Sequence, residues 1–288
     1  MTEPGVGSTL ILADGQQIAC GRAGSGPDVV CVPGGPARAS SYLGDLGGLT
    51  AHRTLHLVDN RGSGGSRPAE AGSISTARQA DDLVEIVGLL GLDRPALLCH
   101  SYGTRVVALA LARRPDLASA VVLVTPAPIV VDLTVFSSSR SEILEARAED
   151  PAYAEAVEAA RAIPTARPRD MAFLEQASIP LWYGTWGPAQ QAHAARQREE
   201  VDVRAAMTLR NDAARWSPPD LSAVEAPVLV VAGALDFLTP PAAAHAVHEL
   251  FAHSTYAEIE GAGHFPWLDD PDTFATVVDD FLAGVALT

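Results

Sequence analysis

The sequence predicts an α/β fold, with a mostly parallel central sheet flanked by helices and a helical segment inserted near the middle. Three observations predict it. Short apolar, β-branched runs recur at residues 28–32, 53–58, 96–99, 120–124 and 227–232, and helical patterns such as 76–90 and 103–113 lie between several of them. The runs are almost continuously apolar, Val228-Leu229-Val230-Val231 most clearly, as suits strands covered on both sides. The alternation stops near Ala127 and resumes only at Pro227.

In chain order, residues 9–12 and 17–22 read as an antiparallel hairpin around Asp14-Gly15. The first part of the core then runs to residue 126. Residues 141–161 and 190–210 are rich in Ala, Glu and Arg, are broken by Pro164, Pro168, Pro180 and Pro188, and contain no strand run. We read 127–217 as a helical cap and 1–126 with 218–288 as the two parts of one core. The cap's tryptophans, Trp182 and Trp186, are expected to face the site.

Composition excludes several functions. A net charge of -15 argues against nucleic acid or an anionic membrane as partner, because their phosphates would repel it. All 20 basic residues are Arg, so lysine Schiff-base chemistry, lysine-bound pyridoxal phosphate and a P-loop lysine are all absent. Cys20, Cys31 and Cys99 lie far apart without a C-x-x-C pair, which suggests a reducing cytoplasm and neither a zinc ribbon nor a disulfide framework. Residues 1–8 carry no basic or apolar leader pattern, and no segment offers about 18 uninterrupted apolar residues. His245 and His248 have metal-compatible spacing, but no carboxylate completes a pattern. No metal and no cofactor are expected.

Leu97-Leu98-Cys99-His100-Ser101-Tyr102-Gly103-Thr104 places a serine between an apolar strand and a helix. Such an elbow lifts the hydroxyl above the sheet and needs small residues two before and two after the serine. Gly103 meets that need and Cys99 meets it in part. Later come Asp236, after the strand run at 227–232, and His264, within Gly261-Ala262-Gly263-His264. A serine hydroxyl is a weak nucleophile near neutral pH, so an imidazole must take its proton and a carboxylate must orient that imidazole. Ser101, His264 and Asp236 fill these roles in the order Ser, Asp, His found in α/β-hydrolases.

A tetrahedral intermediate also needs N–H donors. Tyr102, next after the serine, offers one. The second should come from Pro33-Gly34-Gly35-Pro36-Ala37, where the prolines have no N–H, leaving Gly34, Gly35 or Ala37. Glycine best permits close approach, and we choose Gly35.

These segments together resemble the prolyl iminopeptidase branch of the α/β-hydrolase fold. Pro33-Gly34-Gly35-Pro36-Ala37 is similar to that branch's H-G-G-P-G, and Asp59-Asn60-Arg61-Gly62-Ser63-Gly64-Gly65-Ser66 to its D-x-R-G-x-G-x-S. Arg67 stands where a third dinucleotide-binding glycine would belong, so the latter segment reads as a turn in which Asp59 and Arg61 organise nearby loops. The resemblance implies a cap residue that receives a free amino terminus, a Glu after Trp in W-E-G. Here Trp182-Tyr183-Gly184 carries Tyr instead, with Glu175, Glu199 and Asp212 as other cap carboxylates. Gly34, Trp182, Tyr183 and Trp186 are the candidate substrate contacts. The expected function is hydrolysis of a small amide, ester or lactone, the substrate being a small molecule or short peptide. The alternatives are acyl transfer or cyclisation on the same residues, and a binding protein that has lost the chemistry.

Overall fold

The computed structural model describes residues 5–129, 133–213 and 215–285, so the first four residues of the 1–8 stretch lie outside it. Eight strands form one sheet: β1 (Gly5–Ile11), β2 (Gln17–Gly24), β3 (Asp28–Val32), β4 (Thr54–Val58), β5 (Ala96–His100), β6 (Ala120–Val124), β7 (Val228–Gly233) and β8 (Ser254–Ile259). Their order is β1-β2-β4-β3-β5-β6-β7-β8. The β1–β2 and β2–β4 pairs are antiparallel and the other five are parallel.

The continuously apolar runs divide residue by residue between two cores. Val30, Val32, Leu97, Cys99, Val121, Leu123, Val228 and Val230 enter one. Val29, Cys31, Leu98, Val122, Val124, Leu229 and Val231 enter the other. A period of two on a sheet covered on both faces requires this. Helices α1 (Thr76–Leu89) and α2 (Gly103–Arg113) cover the first face with residues such as Leu83, Ile86, Val107 and Leu111. The other face is closed by Phe274, Val278 and Leu282 of a C-terminal helix, numbered below. Ser75 caps α1, its side chain accepting from Arg78 N at 3.1 Å.

Between β6 and β7 the described residues form helices and no strand: α3 (Leu133–Ala148), α4 (Ala154–Ala162), α5 (Pro168–Ala177), α6 (Pro188–Glu200) and α7 (Val203–Ala213). Residues 141–161 fall on two helices, α3 ending at Ala148 and α4 starting at Ala154, and between them the Asp150 side chain accepts from Ala152 N at 2.9 Å around Pro151. After β7 come α8 (Pro241–His248), the short α9 (Pro266–Asp269) and α10 (Pro271–Val285). The edge strand β8 is absent from the sequence reading because Ser-Thr-Tyr-Ala-Glu-Ile is half polar, with only Ile259 buried. No helix among the described residues is long and apolar enough to cross a membrane.

Candidate active site

Ser101 occupies the turn between β5 and α2 with φ of 50°, a left-handed conformation that costs a non-glycine residue about 1–2 kcal/mol. Its backbone is pinned on three sides. Ser101 N donates to Val124 O, while Thr104 N and Ala127 N both donate to Ser101 O, each at 3.0 Å. Gly103 is forced by crowding: a Cβ there would lie 2.6 Å from Val32 O and 2.9 Å from Pro33 O. Cys99, two before the serine, is fully buried with its Sγ 3.8 Å from Thr104 Oγ1, and burial pushes its thiol up to about 12.

Asp236 is fully buried in the loop after β7. Its Oδ1 accepts from Leu238 N at 2.8 Å and Thr239 N at 3.0 Å, and its Oδ2 accepts from Thr239 Oγ1 at 2.7 Å. The remaining partner of Oδ2 is His264 Nδ1, at 2.8 Å. With Nδ1 holding the proton toward the carboxylate, Nε2 is left with a free lone pair. His264 is itself buried, and its carbonyl accepts from Thr125 Oγ1 at 3.0 Å and from His100 Nε2 at 2.9 Å. His100 immediately precedes Ser101, and its ring centroid lies 4.7 Å from that of His264. The serine turn and the histidine loop are thereby joined. Neither Ser101 Oγ nor His264 Nε2 has a hydrogen-bond partner among the described residues, as is common before substrate closes such a site.

A second relay supports the turn from below. Gly34 N donates to Tyr42 Oη at 2.7 Å, and Tyr42 Oη donates to His100 Nδ1 at 2.6 Å. In the neutral ring, with His100 Nε2 donating to a carbonyl, Nδ1 is the acceptor. Burial, with the neighbouring His264, holds it well below the usual histidine range. Gly34 is buried, its N–H is engaged, and a Cβ there would lie 2.9 Å from Ser101 Cβ. Gly34 therefore backs the serine, with its N–H already engaged. Gly35, by contrast, is exposed, and neither its N–H nor that of Tyr102 has an acceptor among the described residues. The Tyr102 side chain turns away, its hydroxyl 2.9 Å from Thr76 Oγ1.

The Trp182-Tyr183-Gly184 segment lies directly on the histidine loop. His264 N donates to Trp182 O at 2.7 Å, and a Cβ on Gly184 would meet Gly261 O at 1.8 Å. Asp269 fastens the two together, its Oδ2 accepting from Gly184 N at 2.7 Å and Gly263 N at 2.8 Å. Tyr183, however, has no accessible surface. Its ring stacks on Phe265 at 4.9 Å and its hydroxyl meets His193 Nδ1 at 2.8 Å. The structure thus places the Tyr183 ring in the aromatic core. Trp182 is half-buried and lines a cavity of about 680 Å³ among the inserted helices, whereas Trp186 lines a neighbouring cavity of about 460 Å³. Of the other carboxylates, Asp212 is spent on Thr76, accepting from its N at 2.8 Å and its Oγ1 at 2.7 Å.

The end of α6 is latched to the loop carrying Gly35. Arg38 Nη2 lies 2.7 Å from Glu200 Oε2, Ala39 N donates to Glu200 O at 2.9 Å, and Asp202 N donates to Ala37 O at 3.0 Å. Asp59 steadies the same loop from the other side, accepting from Ser40 N at 2.6 Å, Ser40 Oγ at 2.7 Å and Gly65 N at 2.7 Å. Arg61 pairs with Asp82 through two bonds of 2.7 and 2.8 Å. The Asp59–Ser66 segment is therefore scaffolding, as its sequence reads. His245 meets the Tyr256 ring edge-on and His248 meets it at a tilt, and His248 Nδ1 is 2.7 Å from Ser254 Oγ. Among the described residues, no group of three or more metal-binding side chains converges.

Residues 27–271 match the family model described as the alpha/beta hydrolase fold. The chain belongs to that family. An uncharacterized Mycobacterium tuberculosis protein is 25% identical to this α/β-hydrolase over 274 residues, 90% of this chain and 76% of that one. A proline iminopeptidase of Heyndrickxia coagulans is 24% identical over 275 residues, 91% of this chain and 92% of the relative. Among solved structures, proline iminopeptidase from Mycobacterium smegmatis superposes with a TM-score of 0.74 at 22% identity, covering 98% of this chain and 99% of that one. An esterase from Exiguobacterium antarcticum gives 0.72 at 20% identity, covering 96% and 100%.

Proposed function

We propose that this α/β-hydrolase is a serine hydrolase that cleaves a small amide, ester or lactone through an acyl-serine intermediate. The observation that carries the reading is the His264–Asp236 pair, bonded at 2.8 Å around a fully buried carboxylate, beside a serine held at φ 50° on a strand-to-helix turn. Ser101 Oγ attacks the substrate carbonyl and gives its proton to His264 Nε2. Asp236 keeps the Nδ1 proton in place and stabilises the imidazolium. The oxyanion is received by the N–H groups of Gly35 and Tyr102. Collapse expels the amine or alcohol with the proton from His264, and water repeats the sequence to release the acid. Helices α3–α7 act as a cap over this site.

The likeness to proline iminopeptidases supports a peptidase-like or esterase-like substrate. Recognition of a free amino terminus is weak in this reading, because Tyr183 is buried and Asp212 is already engaged. The buried free cysteines suit a cytoplasmic setting.

A fluorophosphonate probe should label the wild-type protein and leave Ser101→Ala unlabelled. Ser101→Ala and His264→Ala should each lower kcat by about 10⁴-fold or more, and Asp236→Asn by about as much. Folded wild-type protein that takes no label would instead indicate a binding protein.

A further inference from the structure

The cavity of about 680 Å³ has a charge pattern opposite to that of the chain. The sequence carries 35 acidic and 20 basic residues, yet the cavity wall holds Arg140 of α3, Arg198 of α6 and Arg210 of α7 against a single acidic residue, Glu175. None of these three arginines has a carboxylate within ion-pair distance among the described residues. Other arginines of the inserted segment are paired: Arg161 with Glu158 at 3.4 Å, Arg167 with Asp170 at 3.1 Å and Arg196 with Glu200 at 3.8 Å. Arg140 is half-buried, 3.9 Å above the Phe237 ring, so its charge lies partly out of water.

The same cavity borders the active-site loops. Phe237 and Leu238 follow Asp236 directly. Trp182 accepts the His264 N–H, and Val201 pairs with Arg38 beside the Gly35 loop. One cavity thus borders residues that adjoin the three loops of the site and holds three guanidinium groups without a carboxylate in ion-pair distance among the described residues, Arg198 donating instead to Gln176 Oε1 at 3.1 Å.

We propose that this cavity is an acyl subsite for a carboxylate-terminated substrate. The reactive carbonyl lies at Ser101, a short apolar chain passes Trp182, Phe237 and Leu238, and the distal carboxylate is received by Arg140, Arg198 and Arg210. This rests on the serine-hydrolase reading and deepens it by naming the substrate class.

The test compares three activated esters: para-nitrophenyl glutarate, its neutral glutaramate isostere, and the para-nitrophenyl ester of trimethylammoniobutyrate. One charge-assisted contact corresponds to a preference of about 10-fold or more, so kcat/KM should favour the anion over the isostere by at least that factor, with the cation slowest. Arg140→Gln and the exposed pair Arg198→Gln/Arg210→Gln should each cut the anion-to-neutral ratio about fivefold or more. Arg169→Gln, outside the cavity, should leave the ratio at its wild-type value. As a readout independent of turnover, glutarate should raise the melting temperature of Ser101→Ala protein and lose that effect when Arg198 and Arg210 are also replaced. An ester-active enzyme with no preference for the anion, or a preference that survives both sets of arginine substitutions, overturns the subsite. If no ester is turned over, the serine reading fails separately, and the glutarate melting shift alone decides whether the anion site stands.

Discussion

Tyr42→Phe removes one oxygen and tests how the site is held. Tyr42 is 1% exposed, and its hydroxyl connects the Gly34 N–H at 2.7 Å to His100 Nδ1 at 2.6 Å. The phenylalanine ring keeps its packing under the Arg38 guanidinium, which lies 4.2 Å from the ring centroid. The loss therefore lies in hydrogen bonding. It leaves a buried donor and a buried acceptor unsatisfied, at about 1–3 kcal/mol each, for a central expectation of about 3–4 kcal/mol. At about 2–4 °C per kcal/mol, the melting temperature should fall by about 6–16 °C. Because Gly34 precedes the proposed oxyanion donor, kcat on an activated ester should also drop about tenfold, less than the 10²–10³ expected for deleting a donor outright. Tyr183→Phe is the control: its hydroxyl meets only His193, so it should lose about half as much stability. A Tyr42→Phe protein melting within about 2 °C of wild type would show that the relay carries no energy.

Asp269→Ala frees the N–H groups of Gly184 and Gly263 at once, and should lower kcat/KM at least about tenfold while calorimetry registers a loss of about 2–4 kcal/mol. Gly103→Ala puts a methyl group 2.6 Å from Val32 O; soluble protein should be destabilised by about 2 kcal/mol or more and label more slowly with fluorophosphonate. Stability should fall on acidification from pH 7.5 to 5.5. His193, held down to about 3 by burial and by Arg38, and His100, also depressed, stay neutral in the folded state, whereas their unfolded counterparts take up protons below about pH 6.5. Their contribution is therefore complete above that value and lost below it, by about 1.4 kcal/mol per histidine at pH 5.5. A melting temperature unchanged across this interval would contradict it.

Features carried by neighbouring residues were legible in the sequence. The strand–Ser101–Gly103 turn reads directly, because a buried strand needs a run of apolar residues and the turn needs a glycine at a fixed offset. Helix α2 and strands β3 and β6 have the boundaries that their patterns imply. What was not legible depends on distant partners. Tyr42 and His100 lie 58 residues apart, Gly184 and Asp269 lie 85 apart, and no local pattern distinguishes those side chains from ordinary core residues. The Trp182-Tyr183-Gly184 triplet could be matched to a motif, but its facing could not: Tyr183 points inward because Phe265 and His193 offer it a stack and a hydrogen bond.

The latch between α6 and the 37–39 loop limits how this protein can be recombined. Glu200 holds both the guanidinium of Arg38 and the backbone of Ala39, while Asp202 binds Ala37, so the inserted helices are not a detachable module set on a finished catalytic base. A chimera that exchanges 133–213 for the corresponding segment of another family member would leave Arg38 buried without its carboxylate and release the loop that carries Gly35. Retargeting by helix transplantation must therefore bring a matched 37–39 loop with it, whereas point changes at Arg198 or Arg210 leave the latch intact.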